Sequence, residues 1–254
     1  MREVGRSNRL APTIFKIGRT AIIVKVSNDS ILRTNAVLVL VPAYNAAPYL
    51  RDLIPRLRQY VCDENLLFVN DGSTDNTLEI LKELGVKYLS FKQNGGKGAA
   101  LIAGFNYAKE NGYRSVLTID SDLQHLPEEI PAFFAKDNGQ KLIMGTRNID
   151  SKIMPWDRWL TNNLTSIIIS VFSCCRIRDS QSGFRLLPVS LLKSIELKTI
   201  NYDLESEMLF KAGAAGYRID EVSISTVYDG SHSYINPLVD SGRFIRQIWK
   251  RIWC

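Results

Sequence analysis

Short, continuous apolar runs alternate along this chain with segments whose apolar residues recur at helical spacing. Val37-Leu-Val-Leu-Val41 is apolar at every position. A run without polar alternation reads as a strand buried on both faces, as in a parallel sheet. Pro42 is expected to end it, and residues 46–60 carry the helical pattern. Leu66-Leu-Phe-Val69 is a second such run, followed by Leu78, Leu81 and Leu84 at helical spacing. Ser115-Val-Leu-Thr-Ile119 is a third, preceded by a helical pattern that reaches Asn111. Strand–helix alternation from Ala36 to about Lys141 predicts one large α/β domain with a parallel or mixed sheet wound with helices. Ala21 to Val26 could add a strand or belong to a loose arm.

The runs stop at polar residues that could do chemistry. The third ends in Asp120-Ser-Asp122-Leu-Gln124-His125. In an extended chain, residues i and i+2 point the same way. Two carboxylates so placed repel each other unless a cation sits between them. Hard cations such as Mg²⁺ take carboxylate oxygens and complete their shell with phosphate oxygens. The plainer alternative is an acidic turn in which Asp122 caps a helix near Pro127. His125 needs no role there. The second run ends in Asn70-Asp71-Gly72. Ligands of open α/β sheets bind outside the carboxyl ends of the strands. Asp71 is therefore placed to read a ribose or base, and Asp75 to cap the next helix. Asn94-Gly-Gly-Lys97-Gly98 lies at a helix entrance. There glycines let a ligand approach the backbone, free N–H groups favour anions and Lys97 adds charge. The spacing is not that of a P-loop.

Together V-P-A-Y-N (Val41 to Asn45), N-D-G-S-T-D-N-T (Asn70 to Thr77), N-G-G-K-G-A-A (Asn94 to Ala100) and D-S-D-L-Q (Asp120 to Gln124) resemble the family 2 glycosyltransferases. The resemblance covers roughly residues 36–235. It implies the GT-A type of α/β fold, a Rossmann-like, mostly parallel sheet flanked by helices. It also implies donor contacts from Pro42, Tyr44, Asn45, Asp71, Lys97, Asp120 and Ser121.

Met144-Gly-Thr-Arg147-Asn148, Arg158, Asn162 and Asp179-Ser-Gln-Ser182-Gly183-Phe184-Arg185 resemble a narrower branch, the dolichyl- and polyprenyl-phosphate sugar transferases. In that branch a nucleotide sugar is the donor and a lipid monophosphate the acceptor. This implies Mg²⁺ or Mn²⁺ held by Asp120, Asp122 and Gln124. It also implies an acceptor phosphate held by Arg147, Arg158 and Asn162, with Ser182 beside them. Residues 226–237 resemble a loop that closes over the site, which makes His232 a further candidate toward the metal or diphosphate.

Breaking a glycosyl–diphosphate bond leaves negative charge on the leaving group, which a divalent cation offsets. A phosphate monoester acceptor is already ionised and needs only positioning, by Arg147, Arg158 and Arg185. A hydroxyl acceptor needs a base. Asp179 is then the first candidate and Glu205 or Glu207 the second, although Asp179 or Glu205 could instead bond Arg185. The catalytic set expected is Asp122, Arg147, Arg158, Asp179 and Arg185. The expected reaction is metal-dependent, inverting transfer to polyprenyl phosphate. The alternatives are transfer to a hydroxyl in cell-wall, capsule or glycolipid synthesis, and a non-catalytic nucleotide-sugar-binding subunit. Intact Asp71, Asp120 and Asp122 argue against the last.

The 254 residues are 45% hydrophobic and 23% charged, ordinary for a globular protein with a sizeable core. The net charge of +6 is local. Residues 1–35, a basic extension, carry Arg2, Arg6, Arg9, Lys16, Arg19, Lys25 and Arg33 against Glu3 and Asp29. Residues 236–254 carry Arg243, Arg246, Lys250 and Arg251 beside an apolar stripe of Leu238, Phe244, Ile245, Ile248, Trp249, Ile252 and Trp253. They read as an amphipathic helix, either lying in a bilayer interface or packed on the catalytic domain. No nucleic-acid motif accompanies the charge, and anionic head groups account for it. Leu164 to Cys175 is too short to span a membrane, and the N-terminus is not a secretory signal. Peripheral attachment on the cytoplasmic face, or through a membrane-protein partner, is the expectation. Cys62, Cys174, Cys175 and Cys254 lack metal-ligand spacing and read as reduced cytosolic thiols. Only two histidines argue against a zinc site.

Overall fold

The computed structural model describes residues 37–147, 177, 179–199 and 203–225, and the backbone of 13–17 and 20–24. The chain divides into two units, residues 1–35 and 36–254. In the first, β1 (Thr13–Ile17) and β2 (Thr20–Val24) pair antiparallel, with Ile17 opposite Thr20.

The second unit holds strands β3 (Val37–Ala43), β4 (Leu66–Asn70), β5 (Lys87–Ser90), β6 (Ser115–Thr118), β7 (Leu142–Arg147), β8 (Arg185–Pro188) and β9 (Ile219–Ile224). Its helices are α1 (Ala47–Leu57), α2 (Thr77–Glu83), α3 (Lys97–Glu110), α4 (Ile130–Lys136), α5 (Val189–Ser194) and α6 (Asp203–Ala214). The sheet order is β5-β4-β3-β6-β8-β7-β9. Every pairing is parallel except those of β8, which runs antiparallel to both β6 and β7. This is the mostly parallel α/β sheet with flanking helices that the apolar runs predict.

Residues of β3 alternate between two cores, as the period of a strand requires. Val37, Val39 and Val41 face a core with Leu50, Leu53 and Ile54 of α1 and Leu81 of α2. Leu38 and Leu40 face a second core with Leu101 and Phe105 of α3, Leu191 of α5 and Met208 of α6. Each such side chain contributes about 1.5–3 kcal/mol on burial. Pro42 does not end β3: it pairs with Val69, and the strand continues to Ala43. β6 pairs with β3 only as far as Leu40. Pro42 therefore lies where one side of the strand has no ladder partner, and a missing N–H is tolerated.

Helix α3 presses close on the sheet through Gly104. A Cβ there would lie 2.3 Å from Leu40 Cδ1. Gly104→Ala should lower stability by about 1–2 kcal/mol, because overpacking of about 1–3 kcal/mol outweighs the helix-propensity gain of about 1 kcal/mol. Urea unfolding checks this: the midpoint should fall at constant m, and a rise would contradict the close approach.

The chain leaves β3 for β4 and β5 on one side, then crosses back to β6 on the other. Such a reversal opens a crevice at the carboxyl ends of the flanking strands. Because β8 is antiparallel to β6, it begins where β6 ends, and β7, antiparallel to β8, ends at that same edge. Residues 43–45, 70–72, 120–122, 147 and 179–184 therefore share one edge of the sheet.

Candidate active site

The first part of this edge is built from loops tied together by short polar side chains. Asn45 takes a left-handed backbone at φ 50°, its N–H donates to Ser73 Oγ at 3.0 Å, and its Oδ1 accepts from the Thr74 N–H at 2.9 Å. Asp75 accepts from the Ala47 N–H at 3.1 Å and from the Thr77 N–H at 3.0 Å. One carboxylate thus serves the first amides of both α1 and α2, where negative charge is favoured. Asp71 is buried and its Oδ1 accepts from the Gly95 N–H at 2.7 Å. Burial pushes its carboxyl up, and the amides of Gly95 and Gly96 act against that. Gly72, at φ +64°, lies so near Gln93 that a Cβ would fall 2.4 Å from its carbonyl carbon, so the two loops meet backbone to backbone. Tyr44 is 45% exposed, the one large hydrophobic side chain in the open among the described residues.

The acidic strand end is the electrostatic centre. Lys97 Nζ lies 2.7 Å from Asp120 Oδ1 and 3.0 Å from Glu205 Oε1. Burial pushes the Asp120 carboxyl up, but the Lys97 ammonium outweighs it and holds the carboxyl below its usual range. Burial likewise disfavours the Lys97 ammonium, and the two carboxylates more than compensate. Asp122 differs. Burial and then the charge of Asp120 push its carboxyl up. It caps no helix: its Oδ1 accepts from the Gln124 N–H at 3.1 Å, and the turn at Pro127–Glu129 starts from Leu126 without a side-chain cap. Ser121 and Gln124 are half-buried on either side. Leu123 takes φ 62°, which costs a β-carbon residue about 1–3 kcal/mol, while its side chain packs on the first core. Asn45 and Leu123 are the non-glycine residues with positive φ among those described, and both lie at this edge.

Sequence reasoning gave His125 no role, yet the ring is buried beside Phe184, with centroids 5.5 Å apart, and Nε2 is 3.7 Å from Asp120 Oδ2. Burial lowers its pKa, so it is a neutral neighbour of Asp120. No periodicity in a loop could have announced that.

The other flank is formed by Arg147 and the 179–185 segment. Arg147 Nε donates to Asp179 Oδ2 at 2.6 Å and Nη2 to Oδ1 at 2.9 Å. Asp179 is fully buried. Burial pushes its carboxyl up, but Arg147 outweighs burial and holds it below the usual range. Asp179 thus bonds Arg147, not Arg185, because β7 and the 179–184 segment meet at the edge. Arg185 is fully buried and donates to three carbonyls, those of Ser182 at 2.7 Å, Glu205 at 2.7 Å and Ser180 at 2.8 Å. It receives the backbone oxygen of Glu205, whose carboxylate goes to Lys97 instead. Ser182 is buried, and its Oγ accepts from the Phe184 N–H at 3.4 Å. Gly183 leaves no space for a side chain, since a Cβ would lie 2.4 Å from Asp120 Oδ2. Glu207 stands apart, bonded to Thr199, the Lys198 amide and Lys211. Arg158, Asn162, His232, residues 164–175 and the segment 236–254, expected as an amphipathic helix, lie outside the described residues.

The Asp179–Arg147 pair predicts an acid limb in stability. A depressed carboxyl contributes fully above the unfolded value near pH 4 and loses the contribution as pH falls through its folded value. Asp179→Asn should flatten the decline of the unfolding midpoint below about pH 4. An unchanged acid limb would remove the pair from the account.

The edge also bears on a metal. Among the described residues, no three His, Cys, Asp or Glu side chains gather into a ligand set. Mg²⁺-type sites in transferases use one or two carboxylates and take the rest from substrate phosphate and water. Asp120 and Asp122 fit that donor set, and a cation would relieve the repulsion that raises Asp122.

Known proteins resemble this chain in sequence and fold. Residues 38–195 match the model of glycosyl transferase family 2. A UDP-N-acetylglucosamine–dolichyl-phosphate N-acetylglucosaminyltransferase of Methanococcus voltae is 31% identical over 216 residues, covering 76% of this chain and 86% of the relative. An undecaprenyl-phosphate mannosyltransferase of Micrococcus luteus is 29% identical over 202 residues, covering 75% and 83%. The glucosyl-3-phosphoglycerate synthase of Mycobacterium tuberculosis, solved with Mn²⁺, UDP-glucose and phosphoglyceric acid, superposes with a TM-score of 0.68 at 19% identity, covering 88% of this chain and 83% of that one. That likeness is one of fold, the GT-A fold. The family match runs from β3 to just past α5 and takes in both acids of the strand end, Lys97 and Arg185: this chain is a glycosyltransferase and belongs to family 2.

Proposed function

We propose that the enzyme moves a sugar from a nucleotide-diphosphate donor (GDP-mannose or a UDP-sugar) to a polyprenyl phosphate, with inversion and with Mg²⁺ or Mn²⁺ bound. The observation that carries this reading lies on the acceptor side. Both oxygens of Asp179 are held in the fork of Arg147, and the Glu205 carboxylate is paired with Lys97. A hydroxyl acceptor needs a base in reach. A phosphate monoester, with its second pKa near about 6, arrives ionised and needs none. The relatives named for dolichyl- and undecaprenyl-phosphate transfer support the same acceptor class.

In this reading Asp120 and Asp122, with Gln124, would hold the cation, which would offset charge on the departing diphosphate. Lys97 adds a positive charge beside them. Pro42, Tyr44, Asn45, Asp71 and Ser121 bind the nucleoside end. Arg147, Arg158, Asn162 and Ser182 receive the acceptor phosphate. Asp179 orients Arg147 through two of its N–H donors rather than taking a proton. Arg185 positions the 180–183 turn from behind. Attack by the phosphate oxygen on the face opposite the leaving group inverts the anomeric carbon. Among the described residues no helix is long and apolar enough to cross a membrane. We assign contact with the cytoplasmic face of a membrane, or with a membrane-protein partner, to the basic segments 1–35 and 236–254.

The test supplies radiolabelled GDP-mannose, UDP-glucose and UDP-N-acetylglucosamine with Mg²⁺ or Mn²⁺, each with and without a short polyprenyl phosphate. Label should pass into the organic phase only with the lipid phosphate. Transfer to sugar or glycolipid hydroxyls in its place would refute the acceptor assignment.

A further inference from the structure

Lys97 opens α3 and sets its ammonium between two carboxylates from distant parts of the chain. Asp120 follows β6, and Glu205 lies in the first turn of α6. The Lys97 and Glu205 side chains are only 19% and 9% exposed. Glu205 is fixed in its turn, because its carbonyl accepts from Arg185, which also grips Ser180 and Ser182. The other Asp120 oxygen lies 3.7 Å from His125 Nε2, beside Gly183, where a side chain would not fit. The Asp120 carboxylate thus has neighbours on two sides.

A lysine paired with Asp120 alone would neutralise it and compete with any cation offered to the strand end. Here the ammonium touches both Asp120, at 2.7 Å, and Glu205, at 3.0 Å, so one positive charge is divided between two carboxylates and Asp120 keeps more of its own charge. When a diphosphate arrives, Lys97 can turn toward it with Glu205 still beside it as counter-ion. We infer that Glu205 is a positioning residue that shares the Lys97 ammonium with Asp120 and so leaves the Asp120–Asp122 strand end enough negative charge for a divalent cation. The inference rests on the metal–diphosphate reading proposed above. Glu205 touches neither cation nor donor and acts through Lys97.

A double-mutant cycle on Mn²⁺ affinity tests it. Mn²⁺ is titrated by loss of its free-ion paramagnetic signal, at saturating UDP and separately at saturating GDP. The proteins are wild type, Glu205→Gln, Lys97→Met, the double variant and Asp122→Asn. Glu205→Gln should weaken Mn²⁺ binding about tenfold, a coupling usual for contacting charges. In the Lys97→Met background the same change should have no further effect. Equal affinity in wild type and Glu205→Gln overturns the inference. So does an undiminished effect without Lys97, which would be the charge of Glu205 acting at a distance. Wild-type protein that ignores Mn²⁺, or binds it equally well as Asp122→Asn, overturns the metal reading itself and the inference with it. Glu205→Gln retains the carbonyl used by Arg185. Should it still fail to fold, Glu205→Asp draws the charge back from Lys97 and should weaken Mn²⁺ in the same direction.

Discussion

Asp122→Asn should cut transfer by at least about 10²–10³-fold, the loss seen when one electrostatic partner of a developing negative charge is removed. The same change should leave the unfolding midpoint unchanged or raised. Burial and the neighbouring Asp120 both disfavour an ionised Asp122, so the folded enzyme carries that charge at a cost. An asparagine keeps an oxygen for the Gln124 N–H and sheds the repulsion. Asp120→Asn should behave differently. It breaks the pair with Lys97 and should cost about 1–3 kcal/mol as well as activity. Activity and thermal denaturation measured on both variants separate the two acids. An Asp122→Asn enzyme retaining a tenth of its activity would remove Asp122 from the chemistry.

Arg185→Lys should destabilise the protein by about 3–5 kcal/mol, a loss on the scale of breaking a buried charge network. The guanidinium serves three carbonyls in one fixed fork, and an ammonium on a flexible stem cannot reach all three. Buried acceptors left without partners cost about 1–3 kcal/mol each. Guanidinium denaturation checks the value, and a loss below about 1 kcal/mol would show that the three bonds are individually dispensable. Activity should fall alongside, since the turn that crowds Asp120 is tied to α6 through this side chain.

The half of the fold that ends in acids was legible in the sequence for a physical reason. β3, β4 and β6 are buried on both faces, so they are apolar throughout or nearly so (β6 has Ser115 and Thr118 at its ends), and the polar residues that follow stand out against them. The half that completes the site was not. β8 is four residues long, opens with a buried arginine and closes with proline, so no period marks it as a strand between two others. β9 has mixed burial and reads as no period at all. The partner of Asp179 illustrates the same limit. The sequence points to Arg185 as its partner, and only the antiparallel course of β8 brings Arg147, at the end of β7, to Asp179 instead. Glu205 met Arg185, as the sequence allowed, but through its carbonyl, leaving its carboxylate for Lys97.

The position of β8 also bears on the order of assembly. Strands β3 to β6 are consecutive and pair among themselves, so they can associate through comparatively local closures. β8 must then return from far along the chain and insert between β6 and β7, and such non-local pairing is slow. A chain halted before that step would already present Asp120 and Asp122, but Gly183, Arg185 and Glu205 would not yet surround them. Refolding followed by the ultraviolet signal of helices should therefore run ahead of refolding followed by binding of nucleotide with Mn²⁺.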